Sequence, residues 1–467
     1  MGRVRSQKSS PPLSMLSPRE WSPQLVALCL FLALLLVTGG SSRYDVPQLV
    51  ILRPVAVCLV GFGLATMGRQ AWRTYRPVLL LFGGIALLTL SHLVPLPPDV
   101  WQALPGRQII AQIDKLAGLG SVWRPLTMFP EGTWNALYSL SVPLAALLLA
   151  AQLKQDDQVR LLVWVLILCL VTGLVGVAQG AGSDFDLYGS GQSGTAGVFA
   201  NRNHQAAMLA CTFPMLAALA SCAPLITSQP RIIRLIAAAG AVTLIPLMLV
   251  TGSRMGLVVG LLAFLIAAIV TAGKRSGDLS SPRRVLLQIC VAAIVAAGAL
   301  MATMRAARDV AISRIGDEDG DLRWLIWEAV IDFLPEYMPW GSGVGSFVPV
   351  YQIHEPNDTL MPQYVNQAHN DWLDIALTSG VPGAALAIIA AMMFARAAGS
   401  ALAARGVAGH LKQTGIGIIF VLAFASLSDY PVRTPLISAL FAIAAIWACV
   451  PSAQRKTAES SDQNVTA

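Results

Sequence analysis

Apolar residues in this chain occur in blocks of roughly twenty, and this spacing constrains the fold more than any other feature. A helix needs about 20 apolar residues to cross a bilayer core of about 30 Å. Over 467 residues, 55% are apolar and only 12% are charged, a composition that soluble proteins of this length do not have. The sequence therefore predicts an all-α polytopic membrane protein.

Twelve blocks qualify as candidate membrane spans. They cover residues 24–40, 47–66, 77–97, 135–152, 160–181, 204–225, 234–251, 254–273, 285–304, 381–398, 415–430 and 434–451. The first block follows a basic N-terminal region, but it leads directly into a second apolar block. We interpret it as a retained anchor rather than a cleaved leader.

Lysine and arginine are concentrated in alternate connecting segments, which sets the orientation. The positive-inside rule places these segments and both termini in the cytoplasm. On this topology the cytoplasmic side carries 20 Lys and Arg against 6 Asp and Glu, and the outer side carries 12 against 19. The net charge of +7 is therefore explained by topology, and no nucleic-acid partner is expected.

Five regions follow from these assignments. They are a cytoplasmic tail (1–23), a membrane domain with spans one to nine (24–304), an external helical loop (305–380), a membrane domain with spans ten to twelve (381–451) and a second cytoplasmic tail (452–467). All seven cysteines lie within apolar blocks, so we expect neither an external disulfide framework nor a metal site.

A polar interruption separates spans seven and eight at Thr251-Gly-Ser-Arg254. Gly252 permits the chain to reverse, and Ser253 can cap the following helix. Arg254 then lies at the outer, N-terminal end of span eight, beside free backbone N–H groups. A guanidinium at a helix N-terminus can bind an anion; the alternative is an arginine that extends to lipid headgroups.

Span six begins in the same way, at Phe199-Ala-Asn-Arg-Asn-His204. Asn201 or Asn203 can cap the helix, and Arg202 is again an arginine at an outer helix start; the alternative is an ordinary interfacial arginine. His204 is interpreted as a satisfied interfacial histidine.

The segment before span ten, Gln367-Ala-His-Asn-Asp-Trp-Leu-Asp-Ile-Ala-Leu-Thr-Ser-Gly380, predicts a short surface helix that ends at Gly380. His369, at its start, is a candidate general base. Asp371 or Asp374 is expected to orient it or to contact sugar hydroxyls, and Asn370 belongs to the same candidate group. The alternative is a histidine in an exposed loop without a chemical role.

The outer loop adds two further motifs. Residues 321–334 predict an amphipathic helix, with Arg323 in its first turn; an interfacial anchor is the alternative. Gly341-Ser-Gly-Val-Gly-Ser-Phe347 lacks the lysine of a phosphate-binding loop and does not follow a buried strand. We interpret it as a turn between two surface helices.

Taken in order, these motifs and the preceding Trp123-Arg-Pro-Leu-Thr-Met-Phe-Pro-Glu-Gly-Thr133 resemble the bacterial O-antigen ligase and Wzy-type polysaccharide polymerase superfamily. The similar features run over about 120–385, with the long loop between spans nine and ten.

This resemblance implies a GT-C-type glycosyltransferase of the bacterial inner membrane, with its active face in the periplasm. The donor would be a glycan on undecaprenyl diphosphate, and the acceptor a saccharide or the lipid A core. No metal and no nucleotide cofactor is implied. Carried over to this chain, Arg202, Arg254 and Arg323 would hold the diphosphate, and His369 would act on the acceptor hydroxyl.

Two other classes remain as alternatives. A twelve-span transporter or lipid-carrier flippase fits the span count, although no Asp or Glu lies deep in a candidate span to couple protons. A non-enzymatic scaffold for envelope assembly would not require His369. Whether an enzyme of this kind is a ligase or a polymerase does not follow from the sequence.

Overall fold

The computed structural model describes residues 20–189, 195–275, 319–357, 360, 364–402 and 404–451. These residues are almost entirely helical. The helices are α1 (Pro23–Thr38), α2 (Leu49–Thr66), α3 (Arg69–Ser91), α4 (Pro98–Trp101), α5 (Gln108–Leu116), α6 (Pro130–Ser139), α7 (Ser141–Ala150), α8 (Gln155–Gly180), α9 (Arg202–Ile226), α10 (Pro230–Val250), α11 (Arg254–Arg275), α12 (Asp319–Phe333), α13 (Phe347–His354), α14 (Asp371–Leu402), α15 (Gly406–Ala425) and α16 (Pro435–Ala448).

Two short 3-10 turns and a small β-ribbon connect these helices. The turns span Leu334–Tyr337 and Pro431–Arg433. Strands β1 (Pro95–Leu96) and β2 (Arg124–Pro125) pair antiparallel.

Eight helical segments of the described residues are long and apolar enough to cross a membrane, which confirms the polytopic helical class. They are Leu49–Thr66, Arg69–Ser91, Pro130–Ala150, Gln155–Gly180, Arg202–Ile226, Pro230–Val250, Asp371–Ala401 and Gly406–Ala425, and three shorter apolar helices accompany them. The candidate span at 285–304 lies outside the described residues. The number twelve therefore stays a prediction.

Several boundaries differ from those expected, and three of them illustrate the reasons. Helix α3 begins at Arg69, eight residues before the apolar block, since its first two turns carry basic side chains. The span expected at 135–152 begins at Pro130 and is interrupted between α6 and α7. The span expected at 415–430 ends at Ala425, because the following residues are polar and are succeeded by Pro431.

Helix α9 lies at the centre of the bundle and packs on α8, α10, α11 and α15. Its side chains are buried along nearly its whole length. Helices α15 and α16 approach closely at Gly415, where a Cβ atom would contact the backbone of Ala448 at 2.5 Å. The first and last parts of the chain share this core with α9, since residues from α1 to α16 belong to one apolar cluster.

A second, smaller core is formed around the outer loop. Ile326, Val330 and Phe333 of α12 are buried together with aromatic side chains of the following segment and with Leu377 of α14. The predicted amphipathic helix is therefore confirmed over its described side chains. Helix α14 is broken at Gly380, whose φ of 56° and ψ of −150° are not helical, so the predicted end of the short helix is also confirmed.

The connecting segments collect at two ends of the bundle. At one end, called the site end below, Ala200 N–H donates to Gly40 O at 3.1 Å and Leu436 N–H to Gly39 O at 2.9 Å. At the opposite end, Trp447 Nε1 donates to Gln158 Oε1 at 2.7 Å. This arrangement agrees with the expected alternation of upward and downward helices.

Candidate functional site

Four polar segments meet at the site end. They are residues 199–204, 251–254, 367–374 and 426–433, of which the first three begin α9, α11 and α14, and the fourth joins α15 to α16. The three motifs that sequence analysis placed on one face are thus close in space. The fourth segment joins them.

Helix capping fixes the first two segments against each other. Asn201 caps α9, since its Oδ1 accepts from Asn203 N–H at 2.8 Å. Ser253 caps α11, since its Oγ accepts from Gly256 N–H at 2.8 Å, and it donates to Asn203 Oδ1 at 2.7 Å. Gly252 has a φ of 64°, as the predicted reversal requires. The two helix starts are therefore joined directly.

Asp429 is the residue on which the segments converge. It is 3% exposed, and its Oδ2 accepts from Asn203 Nδ2 at 2.6 Å and from Asn201 Nδ2 at 3.3 Å. Its Oδ1 lies 3.5 Å from His369 Nδ1 and 3.7 Å from His204 Nε2. One buried carboxylate thus contacts two amides and two imidazoles.

The electrostatic surroundings keep Asp429 charged. Burial alone would raise the pKa of this carboxyl, but interactions with His204 and His369 outweigh burial and hold the pKa well below its usual value. Asp429 is therefore an anion over the neutral range. A fixed negative charge lies beside both imidazole rings.

His369 is held in an unusual backbone conformation beside this carboxylate. Its φ is 48°, a left-handed value that costs a non-glycine residue about 1–3 kcal/mol and occurs preferentially at functional sites. The preceding Ala368 O accepts from Trp327 Nε1 at 2.8 Å, and the ring of Tyr430 lies 5.0 Å from the His369 ring. With 24% of its side chain exposed, His369 remains accessible from the surface.

One of the three candidate arginines contacts this cluster, and the other two lie at the helix starts joined to it. Arg323 NH2 lies 4.0 Å from Asp429 Oδ2. Arg254 is exposed at the first position of α11, next to Ser253, and Arg202 is the first residue of α9, between the two asparagines. The hydrogen bonds from Ser253 to Asn203 and from Asn203 to Asp429 thus connect the helix starts that carry Arg202 and Arg254 to His369 and Arg323.

Comparison with known protein families gives one match to part of this chain. Residues 239–388 match the sequence model of a family described as O-Antigen ligase, a segment that includes Arg254, Arg323 and His369. The match spans 150 of the 467 residues, and this part of the chain is similar to the O-antigen ligase family. No curated protein matches the chain.

The O-antigen ligase match does not cover the whole cluster. Arg202, His204 and Asp429 lie outside residues 239–388, and the structure brings them to the matched part. The site therefore depends on α9 and on the segment before α16 as well as on the family domain.

Asp371 and Asp374 contact Arg433 in the structure, and their expected roles stay predictions. Arg433 Nε donates to Asp371 Oδ1 at 2.7 Å, and Arg433 NH2 lies 2.9 Å from Asp374 Oδ1. The carboxylate that contacts His369 is Asp429 instead. Asn370 caps α14, since its Oδ1 accepts from the N–H groups of Trp372 and Leu373, both at 3.1 Å.

His204 also differs from expectation. It is 1% exposed, and neither ring nitrogen has a hydrogen-bond partner among the described residues. It is therefore a buried histidine with Nε2 3.7 Å from Asp429 Oδ1 rather than a satisfied interfacial one.

Sequence analysis missed Asp429, Tyr430 and Arg433. A signal for them was present: Ser426-Leu-Ser-Asp-Tyr-Pro-Val-Arg433 is a polar interruption before an outward-to-inward span, as are the other three motifs. In isolation, the carboxylate of Asp429 marks only a span boundary.

The glycine-rich turn packs against the short helix that follows His369. Gly341, Gly343 and Gly345 all have positive φ, and Ser342 N–H and Gly343 N–H donate to Leu377 O and Thr378 O, both at 2.9 Å. The turn interpretation is confirmed, although the turn is buried rather than superficial. It fixes the short helix that follows His369.

The motif at residues 123–133 packs on the other side of this turn. Thr133 Oγ1 donates to Val344 O at 2.6 Å, and Val344 N–H donates to His92 Nδ1 at 3.0 Å. Arg107, which is 3% exposed, donates to Gly341 O at 2.9 Å.

Within the described part of the chain, no group of three His, Cys, Asp or Glu side chains is arranged to hold a metal ion.

Proposed function

We propose that the protein is a glycosyltransferase that moves a glycan from an undecaprenyl-diphosphate carrier to an acceptor at the periplasmic face of the bacterial inner membrane. It would act as an O-antigen ligase or a polysaccharide polymerase, with a saccharide or the lipid A core as acceptor. The supporting observation is the Asp429-centred cluster, which joins His369 to the arginine-bearing helix starts.

The Asp429 contact determines which ring nitrogen of His369 carries the proton. An anion 3.5 Å from Nδ1 favours the tautomer with a proton on that nitrogen, which leaves the Nε2 lone pair available. Nε2 accepts the proton of the acceptor hydroxyl as the oxygen attacks the anomeric carbon. A positioned base of this kind contributes about 10²–10⁴-fold to the rate.

The arginines act on the leaving group. As the new glycosidic bond forms, the bond between the anomeric carbon and the diphosphate oxygen breaks, and negative charge accumulates on the carrier diphosphate. Arg254 and Arg323, with Arg202 at the start of α9, stabilise that charge. Attack from the side opposite the diphosphate inverts the anomeric configuration.

Orientation in the membrane follows from the distribution of charge. The end of the bundle opposite the site carries the basic connections, including Arg69, Lys154 and Arg231, and we assign it to the cytoplasm with both termini. The site end then faces the periplasm. Labelling of single introduced cysteines at 43 and at 154 in intact cells tests this assignment: only the first should react with an impermeant reagent.

Deletion of the gene tests the function and separates its two forms. Loss of a ligase leaves carrier-linked polymer, whereas loss of a polymerase leaves single repeat units on the carrier. Complementation with Arg254→Ala or His369→Ala should leave the protein inserted without restoring transfer. If the deletion strain instead accumulates carrier-linked glycan on the cytoplasmic side, the protein is a flippase and the proposal fails.

A further inference from the structure

Arg433 forms a clamp between two elements of the site. Its guanidinium contacts Asp371 Oδ1 at 2.7 Å and Asp374 Oδ1 at 2.9 Å, and the side chains of these two acids are only 12% and 4% exposed. Asp371 and Asp374 lie on the first turn of α14, two and five residues after His369. The arginine therefore joins the segment of Asp429 to the helix that follows His369.

The other end of the same segment is tied to the same turn. Asp371 N–H donates to Ser426 O at 2.9 Å, and Ser426 Oγ donates to Asp371 Oδ2 at 3.0 Å. Ser426 and Arg433 thus hold the two ends of a connection whose middle is Asp429. Asp371 accepts from both ends and is the common anchor.

From this arrangement we propose that Arg433 is a positioning residue for glycan transfer. It holds the 426–433 segment on α14 and thereby keeps Asp429 at contact distance from His369. The kinetic consequence rests on the proposed function, whereas the structural consequence does not.

Geometry explains why an arginine is required. The planar guanidinium donates along two directions and bridges two carboxylates at once, whereas a lysine ammonium is a point charge on a flexible stem. The contact between Asp429 Oδ1 and His369 Nδ1 is already 3.5 Å, so a small displacement of the segment would break it. Misplacement by about 1 Å can slow a reaction by about 10²-fold.

The first test is a double-mutant cycle with Arg433→Lys and Asp429→Asn. Transfer is measured with the purified protein in lipid vesicles, using carrier-linked glycan extracted from the deletion strain and acceptor from the same strain. Arg433→Lys should lower kcat by about 10–10²-fold and leave the KM for the glycan within about twofold. Added to Asp429→Asn, it should cause no further loss, because its effect acts through Asp429.

Arg160→Lys is the matched control. Arg160 also bridges two carboxylates, those of Asp157 and Glu20, but at the opposite end of the bundle. This variant should transfer glycan at the wild-type rate. Asp371→Asn provides a second perturbation of the clamp if Arg433→Lys does not accumulate.

Three outcomes would overturn the proposal. The first is an unchanged kcat in both Arg433→Lys and Asp371→Asn. The second is a set of kcat losses that add fully in the double-mutant cycle. The third is an effect confined to KM, which would make Arg433 a direct ligand of the diphosphate. Hydrogen exchange gives a readout without substrate: Arg433→Lys should speed exchange of the 426–433 amides and leave those of α8 unchanged. If wild type transfers no glycan but exchange responds in this way, the proposed function fails and the clamp stands.

Discussion

The two ends of the bundle use buried charge in different ways. At the opposite end, Arg160 contacts Asp157 at 2.7 Å and Glu20 at 3.2 Å. Gln158 nearby donates to Ala150 O at 2.8 Å and accepts from Trp447 at 2.7 Å. These polar groups hold one another within the fold at ordinary hydrogen-bond distances.

At the site end, Asp429 contacts three cationic or ionisable side chains at longer distances. His369, His204 and Arg323 lie 3.5, 3.7 and 4.0 Å from its oxygens. Arg254 is exposed at a helix start nearby. The charges around Arg160 are paired at hydrogen-bond distance, whereas the longer contacts of Asp429 leave interactions available to a substrate, as is expected of functional sites.

The largest expected effect is that of His369→Ala. This change removes the proposed base, and transfer should fall by about 10²–10⁴-fold. The polysaccharide ladder of a complemented deletion strain is the measurement. His354→Ala is the control, because His354 is similarly exposed but contacts Tyr337 and Glu336; a normal ladder with His369→Ala would contradict the mechanism.

Arg254→Ala should have the next largest effect. Loss of one donor to a developing anion costs about 10²–10³-fold in rate, and Arg254→Lys should restore part of it by charge alone. Transfer is measured with membranes that contain equal amounts of inserted protein. The control is Arg234→Ala, which changes an arginine on α10 that contacts Ala220 O. Equal losses of transfer in Arg254→Ala and Arg234→Ala would contradict a special role for the arginine at the site end.

Asp429→Asn should alter the dependence of stability on pH. The lowered pKa of Asp429 means that its contribution is complete above the ordinary aspartate pKa and is lost only as the pH falls through the lowered value. The difference in melting temperature between wild type and Asp429→Asn should therefore shrink as the pH falls below about 4. A difference that does not shrink in this acid range would contradict the lowered pKa of Asp429.

A smaller pH effect is expected from His92, beneath the glycine-rich turn. Burial, with the charge of Arg107, lowers the pKa of His92 to about 4, so the unfolded chain binds a proton before the folded protein does. Stability should fall as the pH decreases from about 6.5 towards 4, by on the order of 2–3 kcal/mol. His92→Asn, which retains an acceptor for Val344 N–H, should reduce this fall in thermal unfolding; an equal fall would exclude His92 as its cause.

Much of the fold follows from the sequence because bilayer helices have a required length and composition. Each candidate span within the described residues corresponds to a helix, and Gly252, Ser253 and Gly380 lie where the chain turns, caps or breaks. These features depend on local residues. The same holds for the amphipathic helix around Val330.

The pairing of site residues depends on contacts between distant parts of the chain. Asp371 and Asp374 follow His369 in the sequence, but helix geometry and Arg433 hold them elsewhere. Asp429, sixty residues further along, lies at the His369 ring instead. Such a partner is found only when four loops are placed at the same end, since each loop taken singly resembles an ordinary helix start.

The most direct test of the central claim is a kinetic cycle of Asp429→Asn and His369→Ala. Purified variants in lipid vesicles are given carrier-linked glycan and acceptor, and single-turnover rates are measured. If Asp429 acts by orienting His369, each single variant is slow and the double variant is no slower than His369→Ala alone. Wild-type rates in Asp429→Asn, or fully additive losses in the double variant, would contradict the account.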